Sequence, residues 1–262
     1  MVQTMKRRRQ RLGDEAAWQI KQIARRQLAG GGSGAISLRG IAREMGMAQP
    51  SLYHYFPRLD DLITALIVDA YSSLGDALDR AQAPAPAGDF AGPADDFGGR
   101  FEAAVLAYRA WALANPAEYK LIFGNPIPGY HAPPDVTVPV VQRAFAPLAS
   151  LPEAAQRHGR LTLPPPDGAA SPALERQLMT AARNREIDLP PQAMRVLLEG
   201  WGQMQGLVTL ELFGHLQPLV GDPEELYRAA TRGFIGRIGL RPSPDAPCDI
   251  VRGQEREEPP TR

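Results

Sequence analysis

Side chains that can read nucleic-acid bases lie close together in one short segment. Gln49, Ser51, Tyr53 and His54 follow Gly46 within a few residues. Amide and hydroxyl groups hydrogen-bond to base edges, and hydroxyl and imidazole groups also reach phosphates. These groups can act together only if a helix presents them on one surface, so the apolar residues around them decide the interpretation.

The apolar residues follow the pattern of two short packed helices. Ser37 is a good N-cap for a helix through Met45, and Gly46 ends that helix where a positive φ is required. A second helix is predicted over 48–55, with Pro50 tolerated in its first turn. The pattern predicts a helix-turn-helix whose second helix enters the major groove, although any two short packed helices show this periodicity. Its shared core would comprise Leu38, Ile41, Ala42, Met47 and Leu52.

Charge is divided unevenly along the neutral chain. Residues 1–60 hold 11 Lys and Arg against four acids, a net charge of +7, so the remaining 18 basic and 25 acidic residues give −7. A basic block of this kind is expected where one end of a protein neutralises phosphates. Lys6 to Arg11 supplies five of these charges, and both a solvated tail and a DNA-contacting arm fit such a run.

Enzyme chemistry has little support. The four histidines are scattered, and the single cysteine, Cys248, lies in a Pro-rich tail. The glycines of 30–34 lack the preceding strand and the Lys of a phosphate loop. We therefore expect no catalytic residues, no metal, no cofactor and no enzymatic activity. The single cysteine, and the lack of an export signal or a membrane-spanning stretch, favour a protein of the reducing cytoplasm.

Helical periodicity dominates the chain, and we predict an all-α fold. The expected organisation is a basic disordered arm over 1–12, a three-helix helix-turn-helix domain over 13–60, a larger helical effector-binding and dimerisation domain over 61–240, and a disordered tail over 241–262. Loops are predicted near 81–99 and 151–172. The predicted helices span 14–29, 37–45, 48–55, 60–78, 100–114, 116–123, 134–149, 172–185, 191–213 and 223–238.

A more specific motif lies over the helix-turn-helix. It comprises Ser37-Leu38-Arg39-Gly40-Ile41-Ala42, then Gly46-Met47, then Leu52-Tyr53-His54-Tyr55-Phe56 and Asp61-Leu62. This arrangement resembles the DNA-binding segment of the TetR family of bacterial repressors. The resemblance implies base contacts from Arg39, Gln49, Pro50 and Ser51, and phosphate or groove-wall contacts from Tyr53 and His54.

One position departs from the TetR pattern. Leu59 stands where the family usually has a phosphate-binding lysine, and a leucine side chain cannot make that contact. We expect Arg58 to supply the charge instead, helped by the N-terminus of the following helix.

The second half resembles the C-terminal domain of a TetR subgroup named for a Trp-His-Gly signature. The resemblance lies in Trp201-Gly202-Gln203-Met204-Gln205-Gly206-Leu207 and in residues 115–124. Gln205 replaces the usual His, so any role of that imidazole is lost or altered. Glycines at 200, 202 and 206 predict close helix approach there, or room for a bulky ligand.

Amphipathic side chains on the C-terminal helices are candidates for sensing a small molecule. Core packing is the competing interpretation for each of them. Gln205 stands out because a buried carboxamide on an apolar stripe needs a hydrogen-bond partner. The candidates are Tyr108, Trp111, Tyr119, Phe123, Trp201, Met204 and Gln205.

These features together predict a homodimeric repressor that binds a pseudo-palindromic double-stranded DNA operator. The helices over 191–213 and 223–238 would form a four-helix bundle between protomers. A small, partly apolar effector of unknown identity would release the DNA, with transmission through the helix that ends near Arg80. A dimeric regulator without an effector, and an activator, are the alternatives. No membrane partner is expected.

Overall fold

The computed structural model describes residues 2–31, 33–83, 96–165, 168 and 170–240. This part of the chain is all-α as predicted, with one isolated bridge between Leu161 and Leu240 in place of any strand. The helices are α1 Val2–Gly31, α2 Leu38–Glu44, α3 Gln49–Tyr53, α4 Leu59–Gln82, α5 Phe97–Ala114, α6 Pro116–Phe123, α7 Pro134–Arg157, α8 Pro172–Arg183, α9 Pro191–Leu212 and α10 Pro223–Ile238.

Local sequence signals account for most helix boundaries. Ser37 Oγ accepts a hydrogen bond from the Gly40 amide at 3.0 Å, and Gly46 adopts φ +63°, so both predictions at this turn are confirmed. Helices α6 to α10 each begin with proline, whose missing amide is not needed in a first helical turn. Asp222 also caps α10 by accepting from the amides of Glu224 and Glu225.

Two predicted boundaries were wrong. Helix α1 begins at Val2, so residues 2–12 continue the helix instead of forming a disordered arm. That segment contains neither proline nor glycine, and nothing in it interrupts the helix. Helix α7 runs to Arg157, beyond the predicted end at 149, because Leu151 and Ala155 are buried in the main core and stabilise the additional turns.

Two main clusters of buried side chains hold the helices together, and α4 contributes to both. Leu62 and Leu66 pack with α1, α2 and α3, whereas Leu74 and Leu78 pack with α5, α9 and α10. Each buried aliphatic side chain contributes about 1.5–3 kcal/mol. A smaller cluster joins α8 to the start of α9. The domain boundary at residue 60 stays a prediction, because α4 carries one continuous apolar face into both clusters.

Several predicted segments lie outside the described residues. These are most of the loop over 81–99 and the tail over 241–262. No described helix combines the length and apolar composition needed to cross a membrane.

Candidate functional site

Helices α2 and α3 form the helix-turn-helix that the sequence predicted. Leu38, Ile41, Ala42 and Leu52 are buried in the cluster shared with α1 and α4, and Met47 packs against it half-buried. Since these side chains point inward, the remaining positions of the short α3 face outward.

The candidate DNA-reading side chains are accessible. Tyr53 is 40% exposed, Gln49 is half-buried, and Gln49 Nε2 donates to Tyr53 Oη at 2.9 Å. This i,i+4 bond holds both side chains on one face of α3. The other candidates on α2, α3 and the following turn are exposed: Arg39, Pro50, Ser51, His54 and Arg58.

The unusual leucine at position 59 has a packing role. Leu59 is the first residue of α4 and packs, half-buried, against the helix-turn-helix core. The neighbouring Arg58 is exposed, and its guanidinium forms an ion pair with Asp60 at 2.7 Å. A phosphate that binds Arg58 must therefore compete with this carboxylate.

Some of the basic residues in the first 60 positions are occupied within the protein. Lys21 and Arg25 on α1 both reach Asp69 on α4 at 2.7 Å, and Arg25 Nε also lies 3.3 Å from Glu118 on α6. Arg26 pairs with Glu44 at 2.6 Å. The charge of +7 over 1–60 therefore overstates the charge that is free to meet phosphates.

The larger core contains a partly open, apolar cavity of about 650 Å³, within the usual range for small-molecule sites. Helices α4, α5, α6, α7, α9 and α10 contribute to its wall, as does the turn after α8. Aliphatic and aromatic side chains make up most of the lining, and the aromatic rings meet mostly edge to face. Among them, Phe145 and Trp201 have ring centroids 4.6 Å apart, and Tyr108 and Trp201 5.1 Å.

Five of the seven sensing candidates line this cavity, namely Tyr108, Phe123, Trp201, Met204 and Gln205. Trp111 does not, because its face of α5 packs on α4, where Nε1 donates to Ser73 Oγ at 3.1 Å. Tyr119 is also outside the lining, and its hydroxyl lies 2.7 Å from Thr209 Oγ1 on α9.

Gln205 and Tyr108 form the polar end of the cavity. Tyr108 Oη donates to Gln205 Oε1, so the carboxamide finds the partner that its buried position requires. Burial raises the pKa of Tyr108 far above its ordinary value, with the neighbouring Tyr119 adding to the shift. Burial also raises the pKa of Tyr71 and of Tyr227. All three phenols are therefore neutral at physiological pH.

Sequence reasoning missed much of the wall. Tyr71 on α4 and Phe145 on α7 complete the aromatic lining, and Arg185 after α8 adds a cation. Tyr71 lies on the helix predicted over 60–78 and was not among the sensing candidates. The length and aromatic content of α7 gave a weak signal, and Arg185 gave none.

A more polar outer groove of about 820 Å³ adjoins the cavity, between α7 and the turn over 184–187. Val141, Phe145 and Ala149 line both spaces, as do Arg185 and Ile187. The two spaces therefore adjoin along these five side chains.

An ion-pair cluster fixes the helices beside the cavity. Arg109 on α5 makes two hydrogen bonds to Glu211 on α9, at 2.6 and 2.8 Å, and reaches Glu224 on α10 at 3.3 Å. The hydrogen bonds that Arg109 donates to Glu211 raise the pKa of Arg109, and the side chains of this pair are only 12% and 9% exposed. Within the described residues, no group of three or more His, Cys, Asp or Glu side chains is arranged to hold a metal ion.

Comparison with known proteins finds family matches for both the N-terminal and the C-terminal part of the chain. Residues 21–66 match the family model described as bacterial regulatory proteins, tetR family, and residues 101–234 match tetracyclin repressor-like, C-terminal domain. The HTH-type transcriptional regulator Rv1816 of Mycobacterium tuberculosis is 33% identical over 217 residues, 82% of this chain and 89% of that protein. The regulator Mb1846 of Mycobacterium bovis has the same identity and coverage.

Solved structures agree with these relatives. The protein SCO4313, described as regulatory, is 32% identical with a TM-score of 0.69, and the match covers 87% of this chain and 98% of that one. A protein from Rhodococcus sp. RHA1 is 23% identical with a TM-score of 0.62, over 85% of this chain and 95% of its own, and it supports the fold alone. The Trp-His-Gly subgroup is not confirmed by these matches.

Proposed function

The chain belongs to the TetR family of DNA-binding transcriptional regulators, and from this premise we propose that it is a cytoplasmic repressor released from its operator by a small-molecule effector. One observation carries the proposal: two helices, α4 and α6, contact both the helix-turn-helix core and a large apolar cavity. A regulator without an effector has no evident use for such a cavity.

Helix α3 would act as the recognition helix. Arg39, Gln49, Pro50 and Ser51 would contact bases, and Tyr53, His54 and Arg58 would contact phosphates or the groove wall. The Gln49–Tyr53 hydrogen bond supports this arrangement, because it holds one side chain of each group in place before DNA arrives.

The proposed homodimer would use the outer faces of α9 and α10. Leu210 and Phe213 are 41% and 50% exposed at the end of α9. A Cβ added at Gly200 would lie 2.1 Å from Phe234, so that glycine serves close packing inside the protomer. A Cβ at Gly202 would meet no atom within 4 Å, which leaves room for a partner helix to approach. The same is true at Gly206, Gly233 and Gly236.

Two such protomers would place their α3 helices about one DNA turn apart, roughly 34–36 Å, on a pseudo-palindromic operator. An effector would favour a state with a different spacing. Its effect on operator affinity equals its differential affinity for the two states, typically about 1–3 kcal/mol.

Helix α6 would carry part of this coupling. Phe123 lines the cavity at the end of α6, while Ala117 and Leu121 pack against the helix-turn-helix core. Arg25 ties α1 to Glu118 on the same helix. A ligand that moves Phe123 therefore acts on a helix that touches the DNA-binding unit. Helix α4, which contributes Tyr71 to the cavity, would act in parallel.

The testing experiment measures binding to DNA from around the protein's own gene by fluorescence anisotropy across a salt series. The variant is Arg39→Ala with Tyr53→Ala, and the control is Arg183→Ala on exposed α8. We expect saturable, salt-sensitive binding that the double variant weakens at least about tenfold, since each lost contact costs about 1 kcal/mol or more. Weak binding that ignores both sequence and the double variant would contradict the proposal.

A further inference from the structure

The lining of the inner cavity carries positive charge only. It contains no aspartate or glutamate, and Arg185 is its single charged side chain. The acidic residues nearby, Glu153 and Glu186, line the outer groove only. A ligand that passes from the groove into the cavity therefore leaves the carboxylates behind and keeps contact with a guanidinium.

Arg185 is available for a ligand. Its Nη1 donates to the Ala181 carbonyl at 3.2 Å, and it forms no ion pair with any residue in the described part of the chain. The other arginine of the groove, Arg143, is engaged with Asp76 and Asp79 on α4. Glu153 accepts a hydrogen bond from the Asp188 amide at 2.6 Å. Arg185 is thus the lining cation with unused hydrogen-bonding capacity.

The part of the cavity lined by Tyr108 and Gln205 is suited to neutral groups. Tyr108 donates to Gln205 Oε1, and burial keeps the lining phenols protonated. A charged group placed there would be buried without a partner of opposite charge, which is costly. The aromatic walls favour a flat ring system, because aromatic rings pack well edge to face.

Resting on the function proposed above, we propose that the effector is an aromatic organic anion. Its uncharged ring system occupies the inner cavity, and its carboxylate or sulfonate group sits at the rim and binds the Arg185 guanidinium. The competing ligand class is an aromatic cation, which rings alone can hold by cation–π contacts.

Two fluorescent probes separate the contribution of the charge from that of the rings. 8-Anilino-1-naphthalenesulfonate and N-phenyl-1-naphthylamine share one ring system and differ by the sulfonate. Both are titrated into the full-length protein at pH 7.5, with benzyltrimethylammonium as a competing aromatic cation. Ala149→Trp, at the junction of cavity and groove, identifies binding at this site, because it should block both probes.

The decisive variant is Arg185→Gln, with Arg183→Gln as the matched control on the same turn of chain. We expect Arg185→Gln to raise the dissociation constant of the sulfonate probe about fivefold or more and to change that of the neutral probe less than about twofold. The control should change neither probe. Equal effects of Arg185→Gln on the binding of both probes, or no effect on either, would overturn the proposal. It would also be overturned if benzyltrimethylammonium displaced the neutral probe and neither benzoate nor naphthoate did.

The operator assay separates this inference from the proposed function. Suppose that the neutral probe releases DNA and that binding of the sulfonate probe does not depend on Arg185. The proposed ligand class is then wrong, and the proposal of a regulator released by an effector stands. If the anion binds through Arg185 and no cavity ligand changes operator affinity, the ligand class is right and effector release fails.

Discussion

Glu186 is the one described non-glycine residue with a positive φ, at 56°. It follows α8, where the Glu186 amide bonds to the Arg183 carbonyl at 3.1 Å and the Ile187 amide bonds to Ala182 at 3.0 Å. These bonds close the end of the helix in the way that usually requires glycine. A side chain with a Cβ makes this left-handed conformation unfavourable by about 1 kcal/mol.

Replacing this residue should stabilise the protein. Glu186→Gly removes the Cβ from a left-handed position, and we expect the free energy of unfolding to rise by about 0.5–1 kcal/mol. Urea denaturation followed by circular dichroism measures the change. Asn184→Gly, two residues earlier at a right-handed φ of −64°, is the control and should lower stability. A loss of stability in both variants would show that Glu186 is not strained.

Sequence reasoning succeeded at single residues whose role is local. Ser37 and Gly46 were predictable because a cap and a positive φ depend only on neighbours in the chain. For Trp111 the choice between core packing and ligand contact could not be made from the sequence, because periodicity shows which helix face is apolar but not which neighbour covers it. That face of α5 meets Ser73 on α4 and not the cavity.

At the scale of elements, α6 links the two buried clusters, and its ion pair to α1 is partly buried. Arg25 and Glu118 side chains are 22% and 20% exposed. Partial burial reduces screening by solvent, so this pair should contribute more than a surface pair.

A double-mutant cycle measures that contribution. Arg25→Gln and Glu118→Gln, singly and together, should show an interaction energy of about 0.5–1 kcal/mol in urea denaturation. The control cycle uses Arg26 and Glu44, whose side chains are 62% and 44% exposed, and it should give a smaller value. Equal values for both cycles would mean that partial burial does not strengthen the pair, and a value near zero for Arg25 and Glu118 would mean that α6 is not electrostatically coupled to α1.

Element boundaries show the same division between local and distant causes. The starts of α6 to α10 were predictable because proline and polar caps mark them in the chain. The true end of α7 was not, because Pro152 favours a break and only the burial of Leu151 and Ala155 against distant helices overrides it.

At the scale of the whole molecule, exposed apolar residues lie on α9 and α10 beside glycines whose Cα atoms have free space next to them. Leu210→Glu would place a charge in the proposed dimer interface, and we expect the dimer dissociation constant to rise at least about tenfold. Sedimentation equilibrium measures it. Leu174→Glu on α8 is the control, since Leu174 is 39% exposed and Leu210 41%. Equal dimer dissociation constants for the two variants would exclude this face as the dimer interface.

A smaller substitution tests the same interface. Gly202→Ala adds a Cβ that meets no atom of its own protomer, and alanine is the better helix former by about 1 kcal/mol. We therefore expect a protomer of unchanged or higher stability whose association is weaker. The proposed assembly could not have been predicted in detail from the sequence, because a glycine's open side becomes visible only when the helices are placed.

Helix α7 forms one wall of the cavity and contains Pro139, Pro147 and Pro152 in its interior. Each proline removes an amide donor from the helical ladder, which makes this wall easier to bend than an uninterrupted helix. Motion of a wall beside a binding site can set the rate at which a ligand enters and leaves. The prolines therefore bear on how quickly a cell would respond to the proposed effector, and this rate is not determined by equilibrium affinity.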